Sequence, residues 1–218
     1  MVLTVFYEPI SAPCRSIFAL LELAKIPYEK KVISFFKGEC SGPEYLKINP
    51  LGLVPAIQDD DGFVVSEHEA ILRYLVNTRK EAESFIPKDA KTKVLVDQYY
   101  PFHHYAVRKH IAHYFFGHNS VIPAESFNRE TAYKDVEETL KKFESIFLQD
   151  KKFICEEDLT IADLSAANEF FQLYIATDFE LEKKFPRVKV YMERCLLENP
   201  AVRETTRPIV EFAGKAWN

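Results

Sequence analysis

The chain has 218 residues, 47% of them hydrophobic and 14% aromatic, and a formal net charge of −5. That apolar content fills a substantial core in one large or two small domains and excludes intrinsic disorder. The acidic balance and the lack of a basic run with interleaved aromatics exclude nucleic acid as the main partner. No apolar run approaches the roughly 20 residues of a membrane helix.

In chain order, Leu3–Tyr7 is the first expected strand; interrupted by Glu8 and lacking a basic n-region, it is not a signal peptide. Residues 13–25 follow as a helix, with Pro13 at a tolerated first position and Ile17, Leu20, Leu21 and Ala24 on one face. Residues 28–33 form a more polar strand suited to a sheet edge. Residues 54–58 and 63–66 flank Asp59-Asp60-Asp61-Gly62, a hairpin signal, and a helix spans His68–Thr78. At its start Ser66 and Glu69 have capping-box spacing. This β-α-β then β-β-α order describes a small sheet with parallel and antiparallel pairs. Residues 80–88 read as a polar linker, and everything beyond reads as helix. One aromatic-rich stretch covers 89–116. In 125–149, Val136, Leu140, Phe143 and Phe147 keep helical spacing. Leu159-Thr160-Ile161-Ala162-Asp163 is a capping box, with Leu159 and Leu164 as its hydrophobic staple. The expected architecture is α/β plus all-α, with a small α/β domain over 1–79 and a helical domain over 89–218. Cys14, Cys40, Cys155 and Cys195 show neither disulfide-framework nor metal-ligand spacing, which suits a reducing cytosol.

The segment with the most chemistry is Ser11-Ala12-Pro13-Cys14-Arg15, where the first strand gives way to the first helix. A helix's first turn has unpaired N–H groups and the positive end of its dipole, so it favours an anion. The spacing is that of a Cys-x-x-Cys redox motif with serine in place of the first cysteine. A hydroxyl able to donate to another molecule's thiolate thus replaces a nucleophilic thiol.

Taken with Pro43-Glu44-Tyr45-Leu46-x-Ile48-Asn49-Pro50-Leu51-Gly52-x-Val54-Pro55-Ala56, Glu67-x-x-Ala70-Ile71-x-x-Tyr74-Leu75 and the capping box ending at Asp163, this motif resembles the cytosolic glutathione transferases over nearly the whole chain. The serine-type classes fit best, theta first, with delta and phi as alternatives. The resemblance implies a thioredoxin-like N-terminal domain, a helical-bundle C-terminal domain, a cytoplasmic homodimer, glutathione as co-substrate, and conjugation of small hydrophobic electrophiles with hydroperoxide reduction as a side activity. A non-catalytic binding or interaction protein of the same fold, and a Cys14-based thiol transferase, are the alternative functions.

The resemblance makes Ser11 the catalytic group. A free thiol of pKa near 8.5 is only a few per cent ionised at neutral pH. Lowering it to about 6.5 requires about 2.7 kcal/mol of preferential anion stabilisation. A helix terminus contributes at most about 2 kcal/mol, and a hydrogen bond to a charged group roughly 1.5–3; together they suffice. Cys14, three residues further on, is expected to pack as a small hydrophobe, and Tyr7 to close its strand.

By the same resemblance, Pro55 follows a cis peptide, leaving the N–H and C=O of Val54 to pair with glutathione like an added strand. Glu67 and His68 face its γ-glutamyl end, where the family usually has serine at the second position; an imidazole there makes the contact depend on pH between 6 and 8. Cys40 stands in for a histidine at the glycyl end, and Leu53 for a polar residue. For the electrophile side, His104, Tyr105, Arg108, Tyr114 and Phe115 are expected to form the wall, Arg108 matching an arginine that theta members direct at the active site. Five of the six histidines lie between His103 and His118 without an acidic neighbour or a zincin motif, so no metal is expected. Asp163 matches the family's structural aspartate, and its loss is expected to cost about 0.5–2 kcal/mol as a cap.

Overall fold

The structure is a computed structural model and describes residues 2–155 and 157–216. Its first part is a four-stranded sheet, with β1 at Leu3–Tyr7, β2 at Tyr28–Val32, β3 at Ala56–Gln58 and β4 at Val64–Ser66, in the order β2-β1-β3-β4. β1 pairs in parallel with β2 (Tyr7 opposite Val32) and antiparallel with β3 (Thr4 opposite Gln58), which pairs antiparallel with β4. The helix α1 (Ala12–Ala24) crosses over between β1 and β2, as parallel neighbours require. A short α2 (Pro43–Leu46) precedes β3, and α3 (His68–Thr78) follows β4. The Asp59 carboxylate, buried at the hairpin, accepts from Arg79 at 2.5 and 2.6 Å and from the Tyr74 hydroxyl, tying the end of α3 back to the sheet.

The remainder is helical: α4 (Ala90–Phe102), α5 (Lys109–His118), α6 (Arg129–Lys142), α7 (Ile161–Ile175) and the shorter α8 (Leu181–Lys184), α9 (Pro186–Leu196), α10 (Pro200–Glu204) and α11 (Arg207–Phe212). The expected single helix over 89–116 is broken by a π-turn at His103–Arg108. Pro101, inside α4, has no N–H to donate to the preceding turn, so the backbone ladder is already interrupted where the turn widens. A second π-turn, Phe143–Leu148, ends α6.

α1 is packed between the sheet and α7, and Ile17, Leu20 and Leu21 are fully buried. The join is also polar. Arg15 is buried, donating to the Ile10 carbonyl at 2.6 Å and, across the two halves, to the Asn168 carbonyl at 2.9 Å. The Ser16 hydroxyl lies 3.3 Å from the Leu164 carbonyl.

Asp163 does more than cap α7. Its carboxylate accepts from the Thr160 N–H (2.8 Å) and hydroxyl (2.7 Å), the Ile154 N–H (2.8 Å) and the Tyr191 hydroxyl of α9 (2.8 Å), all out of water. The cap-sized cost expected from the sequence is therefore too small, because those donors would be orphaned together. The capping box expected at Ser66 and Glu69 does not form: the N-cap of α3 is Glu67, with no side-chain cap bond.

Candidate active site

Ser11 is the N-cap of α1, in extended backbone (φ −73°, ψ 120°) and 7% exposed. Its Oγ lies 3.5 Å from the Cys14 N–H, a long contact, and the hydroxyl also faces the buried Cys14 thiol. The Ser11 N–H donates to the Glu8 carbonyl at 3.1 Å, and Arg15 fixes the Ile10 carbonyl beside it. The turn is thus held with the hydroxyl at the positive end of a helix.

Ser11 opens onto a cleft of about 360 Å³. The sheet half contributes Ser11, Phe35, Cys40, Gly52, Leu53 and Val54; the helical half contributes Arg108, Phe116, Val121 and Ile122. Apart from Ser11, Cys40 and Arg108 the side chains are apolar, so the cleft is a greasy slot with a hydroxyl and a guanidinium set into it. A larger hollow of about 430 Å³ lies elsewhere, beside α7 and α11, and shares no lining residue with it.

The cleft's floor near Val54 is shaped by backbone. The Val54–Pro55 peptide is cis. The Leu53 carbonyl accepts from the Tyr45 hydroxyl and the Asn49 amide, each at 2.6 Å, which fixes the chain just before Val54. No backbone hydrogen bond engages Val54 among the described residues, so its N–H and C=O remain open to an extended ligand. Gly52 is required here: at φ +63°, a Cβ would stand 3.1 Å from the Cys40 carbonyl oxygen.

Arg108 ends the π-turn. Its Nη1 donates to Glu169 of α7 at 3.0 Å, and Glu169, almost fully buried, also accepts from the Gln172 amide at 2.5 Å. A buried carboxylate thereby anchors one edge of a guanidinium that lines the cleft.

Residues 10–78 match the glutathione S-transferase N-terminal domain and residues 104–198 the C-terminal domain. Mouse glutathione S-transferase theta-1 is 32% identical over 178 residues, 78% of this chain and 72% of that protein. The chain belongs to the glutathione S-transferase family. Glutathione S-transferase D7 of Anopheles gambiae is 29% identical over 190 residues, covering 87% of this chain and 84% of that one. In structure, the human theta-class transferase in complex with the glutathione conjugate of 1-menaphthyl sulfate superimposes with a TM-score of 0.88, at 25% identity, over 98% of this chain and 89% of that one.

Of the residues that the family resemblance nominated, the cleft gathers Ser11, Cys40, Leu53, Val54 and Arg108. Glu67 is exposed at the head of α3 with φ +67° and ψ 118°, a strained backbone for a non-glycine residue and typical of ligand-binding turns. His68 goes elsewhere. Its ring is 5% exposed and packs against His103, His104 and Tyr100 at centroid distances of 5.3, 5.5 and 6.2 Å. Burial, then the nearby His104 and Arg108, push its pKa down to about 3, so it stays neutral between pH 6 and 8 and the pH-dependent contact expected of it is withdrawn.

The electrophile wall also differs from expectation. Tyr114 and Phe115 are fully buried in the core, Tyr114 donating to Asp178 at 2.9 Å. His104 pairs with Glu69 at 3.1 Å, and Tyr105 is 64% exposed; neither lines the cleft. The π-turn shifts which side chains share a face, and Phe116, next to the expected pair, is the one presented. Phe35, Val121 and Ile122 sit in connecting segments that carry no periodic signal. Cys14 is wholly buried, and burial pushes its pKa up to about 11 despite the Ser11 hydroxyl beside it. The Tyr7 ring packs edge-on against Phe18 at 4.8 Å. Among the described residues no cluster of three His, Cys, Asp or Glu is placed to hold a metal ion, and no helix is long and apolar enough to cross a membrane.

Proposed function

We propose that this chain conjugates the glutathione thiolate to small hydrophobic electrophiles in the manner of the theta class, with hydroperoxide reduction as a side activity. The observation that carries this reading is Ser11: a buried hydroxyl at a helix N-terminus, opening onto an apolar cleft. The hydroxyl donates to the thiolate and the helix end adds its dipole, which together reach the roughly 2.7 kcal/mol that ionisation at neutral pH needs. Val54 and its cis-linked Pro55 hold the peptide backbone of glutathione. Glu67 meets the α-amino group, Cys40 and Leu53 border the glycyl end, and His68 contributes its backbone N–H in place of a side-chain contact. Arg108 stabilises negative charge developing at the reacting centre.

A Cys14 thiol transferase would need an exposed thiolate, and this thiol is buried and protonated. The reading extends to a homodimer, to a cytosolic location supported by the free thiols of Cys14, Cys40 and Cys195, and to a division into 1–79 and 89–218 joined by 80–88. Retention on immobilised glutathione, followed by turnover of aryl and alkyl halides by wild type, Ser11→Ala and Cys14→Ser, tests it. Conjugation should fall sharply in the first variant and persist in the second; retention without turnover in wild type would instead identify a binding protein.

A further inference from the structure

Val121 and Ile122, which form part of the wall facing Ser11, lie in the segment 119–128 that joins α5 to α6. Near its start the segment folds back on α5: the Val121 and Ile122 N–H groups both reach the Phe116 carbonyl, at 2.8 and 3.4 Å. Phe127 covers Gly117 so closely that a Cβ there would stand 2.1 Å from its ring. Its two ends are then joined by one distant group. His118, the last residue of α5, has Nδ1 3.2 Å from Asp178 Oδ2, and Arg129, the first residue of α6, donates Nη2 to the same oxygen at 2.5 Å. The buried Tyr114 hydroxyl donates to it as well, at 2.9 Å. Asp178 itself sits in the turn after α7, a third element.

We propose that Asp178 is a specificity-determining positioning residue: it staples both ends of segment 119–128 and so holds Val121 and Ile122 against the electrophile side of the cleft. It touches neither reactant and acts through the wall it fixes. This rests on the glutathione-conjugating reading given above. Two hydrogen-bond donors and a neighbouring imidazole, from two helices, meet on one carboxylate oxygen and make the segment's closure depend on that side chain, and a closed segment keeps an apolar wall in place. Contacts worth one methylene in such a pocket change discrimination by about 10–200-fold.

The test uses two thioethers as non-reacting probes, S-methylglutathione and S-hexylglutathione, in calorimetric titrations of the full chain. S-methylglutathione reports the glutathione side alone; the extra affinity of the hexyl compound reports the wall. Asp178→Asn should cut the hexyl advantage by about tenfold and leave S-methyl binding unchanged. Arg129→Met, at an exposed side chain that spares the core, should do the same to a smaller degree. In a Val121→Ala/Ile122→Ala background, Asp178→Asn should have no further effect. An undiminished hexyl advantage in Asp178→Asn and Arg129→Met overturns the proposal, and so does an equal loss for both probes, which signals general loosening. If Asp178→Asn does not fold, Arg129→Met decides alone. Should wild type bind neither probe, the glutathione reading falls and takes the proposal with it.

Discussion

The two sides of the cleft are built by different means. The sheet side rests on contacts between near neighbours in sequence: Ser11 caps its own helix, Arg15 holds Ile10, and Tyr45 and Asn49 hold Leu53. The helical side rests on contacts between distant segments: Arg108 on Glu169, the 119–128 segment on Asp178, and α7 on Tyr191 of α9 through Asp163. The Ser11 turn is thus secured by local geometry, and the apolar wall opposite it by groups that a distant change can move.

The largest effect that could break this comparison concerns Asp163. Asp163→Ala should lower stability by about 3 kcal/mol or more, because each buried donor left unpaired costs about 1–3 kcal/mol. Chemical denaturation measures it, and a loss of about 1 kcal/mol would reduce Asp163 to the local cap that sequence suggests. Next comes acid. His68 and His103 are both held neutral by burial, with folded pKa values below the ordinary 6.5. The unfolded chain therefore binds more protons as pH drops, so stability is full above about pH 6.5 and is lost on acidification. For His68, with its folded pKa near 3, the loss between pH 6.5 and 5 is about 2 kcal/mol. His68→Phe should flatten the pH profile of the melting temperature over that range; an unchanged slope would place the ring in water. Phe116→Ala should raise KM for an apolar electrophile roughly tenfold and leave KM for glutathione alone. Equal changes in both would erase the distinction between the two sides. Cys14→Ala should leave turnover unchanged, since the thiol is buried and protonated.

Legibility in the sequence follows the same division. Strand β1 and helix α3 have the boundaries that periodicity and turn residues indicate, and the Ser11 turn is readable because cap, proline and dipole are all local. The sites at Leu53, Val54 and Cys40 came from family motifs, and the cleft includes all three. The helical wall was not readable. The aromatic stripe that suggests His104, Tyr105, Tyr114 and Phe115 gives no sign of the π-turn after Pro101, which changes the faces on either side of it. Asp178 and Glu169 act through partners 49 and 61 residues away, a distance over which no local pattern speaks. His68 shows the opposite failure: family position suggested a ligand, but the bulk of the ring is accommodated among His103, His104 and Tyr100 instead.

The central claim is that the Ser11 hydroxyl holds the thiolate of bound glutathione. The direct measurement is a spectroscopic titration of the thiolate in the binary complex, for wild type and Ser11→Ala. A thiol pKa near 6.5 in wild type, rising by about 1–2 units when the hydroxyl is removed, is the predicted result. The same pKa in both proteins would contradict the account.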